Sequence, residues 1–202
     1  MTRPRTGLAG LALIAAVLVG CGSSPPTHYY TLTAVAPAPG GSPERGSAEY
    51  SVSVGPVTLP EIVDRPQLVV RVGANQVALV DQHRWAEPLK SEIPRVIAEN
   101  LSQLLGAQQV VTYSQNLVRD AEFRVLVDIK RFDSTVGQTV TIDALWTVRR
   151  ASGGEPATGR SLAQEPIGGD GYDAIVAAHG RALATVSRDV AESIRAAAST
   201  QH

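Results

Sequence analysis

Apolar and polar positions alternate along several short stretches of the chain, and this period of two residues predicts half-buried β-strands. The alternation is clearest in residues 122–132 and 139–149. Because only a short turn separates these two stretches, they are predicted to be antiparallel neighbours. Shorter strands are predicted at residues 28–32, 50–55, 68–72, 76–80, 109–113 and 158–164.

Two other stretches have the apolar spacing of about 3.6 residues that indicates amphipathic helices. The first covers residues 86–105 and stops before Gly106, a residue type suited to end a helix. Pro94 lies inside it and is predicted to kink or split the helix, because proline has no backbone N–H. The second helix follows residues 168–171. This order of elements predicts an α+β two-layer sandwich, with two helices packed on one face of a mainly antiparallel mixed sheet.

The N-terminus has the pattern of a secretory signal peptide. Arg3 and Arg5 precede residues 7–20, which carry no charge and are too few to span a bilayer comfortably. The run ends in Leu-Val-Gly-Cys, so small residues stand directly before Cys21, the only cysteine in the chain. This arrangement predicts cleavage before Cys21 and acylation of its thiol. An ordinary signal peptide with an incidental cysteine is the alternative.

The predicted organisation is therefore a signal peptide at residues 1–20, a lipidated cysteine and tether at residues 21–27, and one periplasmic α+β domain at residues 28–202. A loop rich in proline and glycine is predicted at residues 34–48. The length that remains after cleavage suits a single domain.

The composition argues against several classes of function. The chain carries 18 basic and 19 acidic side chains with no basic block, which argues against nucleic-acid binding. A single cysteine excludes an intramolecular disulfide and a CxxC redox pair. The four histidines form no cluster with metal-ligand spacing, so neither a metal nor another cofactor is expected.

The residue types that could support catalysis have ordinary structural interpretations. His83 is predicted to be a solvated loop residue, and His179 lies on the apolar side of the last helix and is predicted to be packed. Asp128 and Asp143 lie in adjacent predicted strands, and paired carboxylates can do acid–base work. Their alternation places both on the polar face of the sheet, where solvated carboxylates are usual. The sequence therefore predicts no enzyme.

Residues 59–67 connect two predicted strands and contain two prolines together with charged residues, which indicates a stiff loop. Such a loop is either a surface that binds a partner or a structural corner. The tryptophan before the first helix is either an interface anchor or a core residue. The candidate partner contacts are Pro60, Asp64, Arg65, Pro66 and Trp85.

The residues of two segments, 54–67 and 84–89, are not explained by the requirements of a strand or a helix alone. Shorter motifs lie at residues 29–32, 98–101 and 128–133. Together with the Cys21 motif, in this order and spacing, they resemble the ABC-type transport auxiliary lipoprotein family, which includes the paraquat-inducible protein C lipoproteins. The resemblance covers nearly all of the mature chain.

The resemblance implies an outer-membrane lipoprotein that faces the periplasm. It implies a non-enzymatic docking partner for an MCE-domain protein and its permease, which move lipid between the two membranes, and it implies a homo-oligomeric ring. Gly22 after the cysteine resembles the outer-membrane default, since lipoproteins kept at the inner membrane often have Asp there. A structural lipoprotein of another envelope assembly machine is the alternative function, and a periplasmic hydrolase is a third.

Overall fold

The computed structural model describes residues 25–35, 51–107, 109–113 and 121–199. The predicted signal peptide, Cys21 and nearly all of the predicted loop at residues 34–48 lie outside the described residues. The elements are β1 (His28–Tyr30), β2 (Val52–Thr58), β3 (Gln67–Gly73), β4 (Gln76–Trp85), α1 (Leu89–Leu105), β5 (Val110–Thr112), β6 (Phe123–Thr135), β7 (Thr139–Arg150), β8 (Ala157–Pro166) and α2 (Gly171–Ser199).

The eight strands form one mixed sheet in which β6 is the branch point. One edge of β6 pairs along its length with antiparallel β7, which pairs in turn with antiparallel β8. The other edge is shared, because β2 pairs with the first half of β6 and the end of β3 pairs with Thr135. β5 extends the sheet beyond β2, and β4 and β1 extend it beyond β3. The longest ladders are antiparallel, and the two helices complete the predicted α+β architecture.

The core lies between the sheet and the helices, and β6 shows how the alternation builds it. The apolar residues of the alternating stretch are all buried: Phe123, Val125, Val127 and Ile129. A bulge between Ile129 and Arg131 then shifts the register against β7. Phe132 and Ser134 are buried as a result, and both contact His179 of α2.

Helix α1 begins three residues later than predicted and ends as predicted, with Gly106 in the left-handed conformation at φ 64°. The predicted split at Pro94 is wrong, because the helix runs through this residue. Pro94 lies near the N-terminus of the helix, where the carbonyl it leaves without a helical donor belongs to Lys90. Lys90 is exposed, so water can satisfy that carbonyl.

The segment that follows β1, residues 31–35, is held against α1, and we call it the arm. Leu32 is fully buried, and its N–H donates to Glu92 Oε2 at 2.7 Å. The Leu32 carbonyl accepts from Arg95 Nη2 at 2.7 Å. Asn100 Oδ1 accepts from the N–H of Val35 at 3.2 Å. Three side chains of one helix therefore fix the backbone of the arm.

Helix α2 approaches the same arm from the other side. A Cβ atom on Gly180 would lie 2.9 Å from the Thr33 carbonyl oxygen, so the close approach requires glycine. Asn100 links the two helices, since its Nδ2 donates to Ser187 Oγ of α2 at 3.2 Å. The N-terminal arm is thus part of the packed helix layer.

Trp146 of β7 is half-buried and packs over the inner side of β8. Its Nε1 donates to Ser161 Oγ at 3.0 Å. Gly159 leaves room for the ring, because a Cβ atom there would lie 2.2 Å from Trp146 Cζ2. Small residues in β8 therefore accept the large side chain of the neighbouring strand.

Candidate partner-binding site

A cleft of about 460 Å³ lies where the loop between β2 and β3 meets the ends of β1 and β4 and the start of α1. Four of the five candidate contacts, all except Pro60, line it. Its lining residues are Tyr29, Asp64, Arg65, Pro66, Arg84, Trp85, Ala86, Glu87 and Pro88. The structure therefore brings together two segments that the sequence singled out separately. We call this the Arg65 cleft.

The loop that carries Arg65 is closed by its own backbone. The carbonyl of Pro60 accepts from the N–H groups of Val63 and Asp64, at 3.1 and 3.3 Å. Val63 is buried and anchors the middle of the loop in the core. The Pro66 carbonyl accepts from the N–H of Trp85 at 2.7 Å, which ties the loop to the end of β4. Pro60 therefore stabilises the turn of the loop through its carbonyl and does not line the cleft.

Some charged side chains around the cleft have hydrogen-bond or ion-pair partners, and one has a nitrogen without a partner among the described residues. Asp64 is paired with Lys90, whose Nζ lies 2.6 Å from Asp64 Oδ2. Arg84 Nε donates to the Asp81 carbonyl at 3.0 Å. Arg65 is half-buried, and its Nε is buried with no hydrogen-bond acceptor among the described residues. A partner cannot reach this buried Nε, so a carboxylate or another anion from a partner would have to pair with the rest of the half-buried guanidinium.

Trp85 is a core residue. Its side chain is only 6% exposed, and its ring meets Phe132 and His179 edge to face at centroid distances of 6.3 and 6.2 Å. Of the two alternatives for Trp85, the geometry matches core packing. The small exposed part forms the floor of the Arg65 cleft, so a partner could touch only that edge.

His83 lies in β4 and not in a solvated loop, so that prediction is wrong. β4 extends five residues beyond the predicted strand because parallel β1 pairs with its end, and His28 stands opposite His83. These two rings stack with their centroids 5.1 Å apart, and the centroid of the Tyr172 ring lies 3.9 Å from that of His83, with the rings tilted by 32°. Tyr30 Oη lies 2.7 Å from His83 Nδ1.

The protonation of this aromatic group follows from its surroundings. Burial, assisted by nearby His28, lowers the pKa of His83. Burial also raises the pKa of Tyr30, so its hydroxyl keeps its proton. Tyr30 Oη and Nδ1 of neutral His83 therefore share one hydrogen bond, whose donor is set by the tautomer of His83. The sequence could not show this group, because its members come from β1, β4 and α2.

The two aspartates that could have formed an acid–base pair have separate partners. Asp143 is buried and receives two hydrogen bonds from Arg160, at 2.7 and 2.8 Å. Asp128 accepts from Thr58 Oγ1 at 2.7 Å and pairs with Lys130. Hydrogen bonds from Arg160 and from Lys130 lower the pKa of Asp143 and Asp128, respectively. Both carboxyl groups are therefore ionised. The predicted solvated position is correct for Asp128, whose side chain is 45% exposed. It is wrong for Asp143, which is buried and paired with Arg160.

His179 is packed in the core, as its place on the apolar side of the helix predicts. Its ring stacks on Phe132 at 3.9 Å, and its Nε2 lies 2.8 Å from Ser134 Oγ. Burial lowers its pKa to about 3, so the imidazole is neutral at physiological pH. Its Nδ1 has no hydrogen-bond partner in the part of the chain that the structure describes.

Within residues 25–35, 51–107, 109–113 and 121–199, no three side chains of His, Cys, Asp or Glu come together as a metal site. In the same residues, neither helix combines the length and the apolar character needed to cross a bilayer. Cys21, the residue with the most defined predicted chemistry, lies outside the described residues.

The fold defines a small α+β domain with one cleft formed by the predicted contact residues. Its family is shown by sequence: the model of the ABC-type transport auxiliary lipoprotein component matches residues 30–191. The chain therefore belongs to this family, and it is a lipoprotein that serves as an auxiliary component of an ABC-type transport system. The predicted family resemblance is confirmed. The comparison with curated proteins found no match.

Solved structures support the fold. An uncharacterised protein aligns with a TM-score of 0.67 at 23% identity, over 84% of this chain and 99% of its own. A Xanthomonas campestris protein of the DUF330 family aligns with a TM-score of 0.62 at 18% identity, over 81% of this chain and 92% of its own. A PelC dodecamer from Paraburkholderia phytofirmans reaches a TM-score of only 0.38 at 12% identity, over 69% of this chain and 90% of its own. That value is too low to carry an argument about assembly.

Proposed function

We propose that this chain is a periplasm-facing lipoprotein of the outer membrane, and that it is a non-enzymatic docking component of an MCE-type, ABC-linked lipid transport system. The observation that carries the proposal is the family match over residues 30–191, and the signal-peptide pattern predicted at residues 1–20, directly before Cys21, supports it. Acyl chains on Cys21 hold the domain at the membrane, and the MCE-domain protein is the docking partner. Several copies act together as a homo-oligomer, for which the family resemblance implies a ring.

The Arg65 cleft is the proposed docking site. It combines apolar side chains with the half-buried guanidinium of Arg65, a combination that suits a partner segment with an acidic residue beside an apolar one. The cleft also lies beside β1, the strand that follows the tether. Contacts at the cleft would therefore be made close to the anchored end of the domain.

Changing Cys21→Ser is expected to abolish acylation and membrane attachment, because a hydroxyl cannot replace the thiol as acyl acceptor. The measurement is the intact mass of the chain from solubilised membranes, together with its distribution between membrane and soluble fractions. Ser23→Ala, two residues further on, is the matched control and should leave both unchanged. An unmodified Cys21 in wild-type protein from membranes would contradict the anchor.

Changing Arg65→Glu is expected to weaken capture of the MCE-domain protein by about tenfold or more, because it replaces an attractive charge at the contact with a repulsive one. Arg124→Glu makes the same charge change at an exposed position of β6 and is expected to leave capture within about twofold. The measurement is the amount of MCE-domain protein bound to each tagged variant, with thermal midpoints to show that both fold. Equal capture by both variants would move the docking site away from the cleft.

A further inference from the structure

The tether limits how far the domain can stand from its membrane. This inference rests on the proposed acylation of Cys21. Six residues, 22–27, separate Cys21 from the start of β1, and they can span roughly 20 Å at full extension. His28 therefore lies within about that distance of the acylated cysteine at the bilayer surface.

The point at which the chain leaves the domain is fixed as well. β1 pairs with β4, with His28 opposite His83 and Tyr30 opposite Trp85. Directly after β1, Leu32 is buried and held through hydrogen bonds to α1. The chain therefore cannot peel away from the sheet to lengthen the tether without breaking these contacts. The surface around β1 has to stay near the membrane.

This surface carries side chains that suit the headgroup layer. Tyr29 is 65% exposed, and His28 is exposed next to it. His28 stacks on half-buried His83, and the half-buried ring of Tyr172 is tilted against His83. Tyr29 alternates with His28 along edge strand β1, so it projects from the opposite face, and both faces meet at the β1 edge of the sheet. Tyrosine and histidine have an apolar body and a polar tip, and tyrosine in particular concentrates at membrane interfaces. We call His28, Tyr29, His83 and Tyr172 the anchor surface.

The charged groups near the anchor surface are of mixed sign. Arg84 stands opposite Tyr29 in the β1–β4 register. Burial, and after it the nearby carboxylate of Asp173, raises the pKa of Tyr30. Asp81 is exposed two residues from His83. No basic cluster is present among these groups, so attraction to anionic lipid cannot dominate the contact. Any lipid contact here depends on the rings and on the tether.

We propose that the anchor surface lies against the headgroup layer of the membrane that holds the acyl chains of Cys21. Tyr29 also lines the Arg65 cleft, so this orientation places the cleft at the membrane surface. A partner docked there would meet the domain at the level of the lipid headgroups. For a component of a lipid transport system, this is where lipid enters or leaves the bilayer.

The test places an environment-sensitive fluorophore at Tyr29→Cys in the full lipidated chain, since the acylated Cys21 has no thiol to label. Leu162→Cys is the matched control, because Leu162 is 57% exposed and lies in β8, at the opposite edge of the sheet from β1. The probe membrane consists of phosphatidylethanolamine and phosphatidylglycerol vesicles that contain a headgroup-proximal spin-labelled quencher lipid. Circular dichroism shows whether both labelled variants are folded.

The expected result is a blue-shifted emission that is quenched several-fold at position 29, with little change at position 162, and with similar quenching in vesicles of neutral lipid alone. Flotation with the vesicles separates the two ways in which the idea can fail. A chain that floats while position 29 stays unquenched overturns the orientation and leaves the anchor intact. A chain that does not float overturns the anchor and this inference with it.

Discussion

Acidification from pH 7 to pH 5 is expected to lower the free energy of unfolding by about 2 kcal/mol through His179 alone. Burial lowers the pKa of this imidazole to about 3, whereas the unfolded chain has an ordinary histidine pKa near 6.5. At a pH between these two pKa values, His179 binds a proton in the unfolded chain but not in the folded one. Stability is therefore complete above about pH 6.5 and falls by up to about 1.4 kcal/mol per pH unit as the pH drops towards 3.

Denaturant unfolding at pH 7, 6 and 5 measures this effect in a range above the titration of ordinary carboxylates. His179→Gln keeps a polar side chain near Ser134 and removes the titration, so its pH dependence should be smaller by about 2 kcal/mol over this range. His83→Gln is the control for a half-buried histidine and should retain most of the wild-type slope. Parallel pH dependence in the wild type and His179→Gln would show that the buried ring is not the cause.

Trp85→Ala is expected to destabilise the domain by about 3–5 kcal/mol, the usual cost of removing a large buried aromatic side chain. Trp85 packs against Phe132 and His179, so its removal leaves a cavity beneath the Arg65 cleft. Thermal and denaturant unfolding measure the loss. Tyr29→Ala, at a 65% exposed position lining the same cleft, should change stability by no more than about 0.5 kcal/mol.

The stabilities of Trp85→Ala and Tyr29→Ala show which of the two side chains belongs to the core. If Trp85→Ala unfolds as easily as wild type, Trp85 is not a core residue and the packing described here is wrong. If Trp85→Ala is destabilised as expected, weaker capture of the partner by this variant can result from unfolding, and it does not show that Trp85 contacts the partner. Arg65→Glu is therefore the variant that tests docking.

The sequence predicted the strands and helices where burial on one face imposes a clear period. Residues 122–132 alternate because one face of β6 meets the helices, and residues 89–105 repeat at 3.6 because one side of α1 meets the sheet. The same pattern could not place Ser134 in the core, since the bulge between Ile129 and Arg131 changes which side chains point inward. Alternation predicts which face of the sheet a side chain occupies only as far as the first β-bulge in the strand.

Contacts between segments that are far apart in the chain account for the features that the sequence did not predict. Nothing local to His83 indicates that β1, more than fifty residues earlier, pairs beside it and extends β4. The environment of Trp85 depends in the same way on Phe132 and His179, from distant parts of the chain. The Arg65 cleft needs β1, the β2–β3 loop and the β4–α1 junction together. Loop composition could propose its contacts but could not show that they share one surface.

The most direct test of the central claim is to purify the C-terminally tagged, lipidated chain from solubilised cell envelopes and identify the proteins that remain bound. The account predicts acylated Cys21, recovery in the outer-membrane fraction, and co-purification of an MCE-domain protein with its permease, reduced about tenfold or more by Arg65→Glu. Acylated, folded chain that retains only components of another envelope assembly machine, with no transporter subunit, would contradict it.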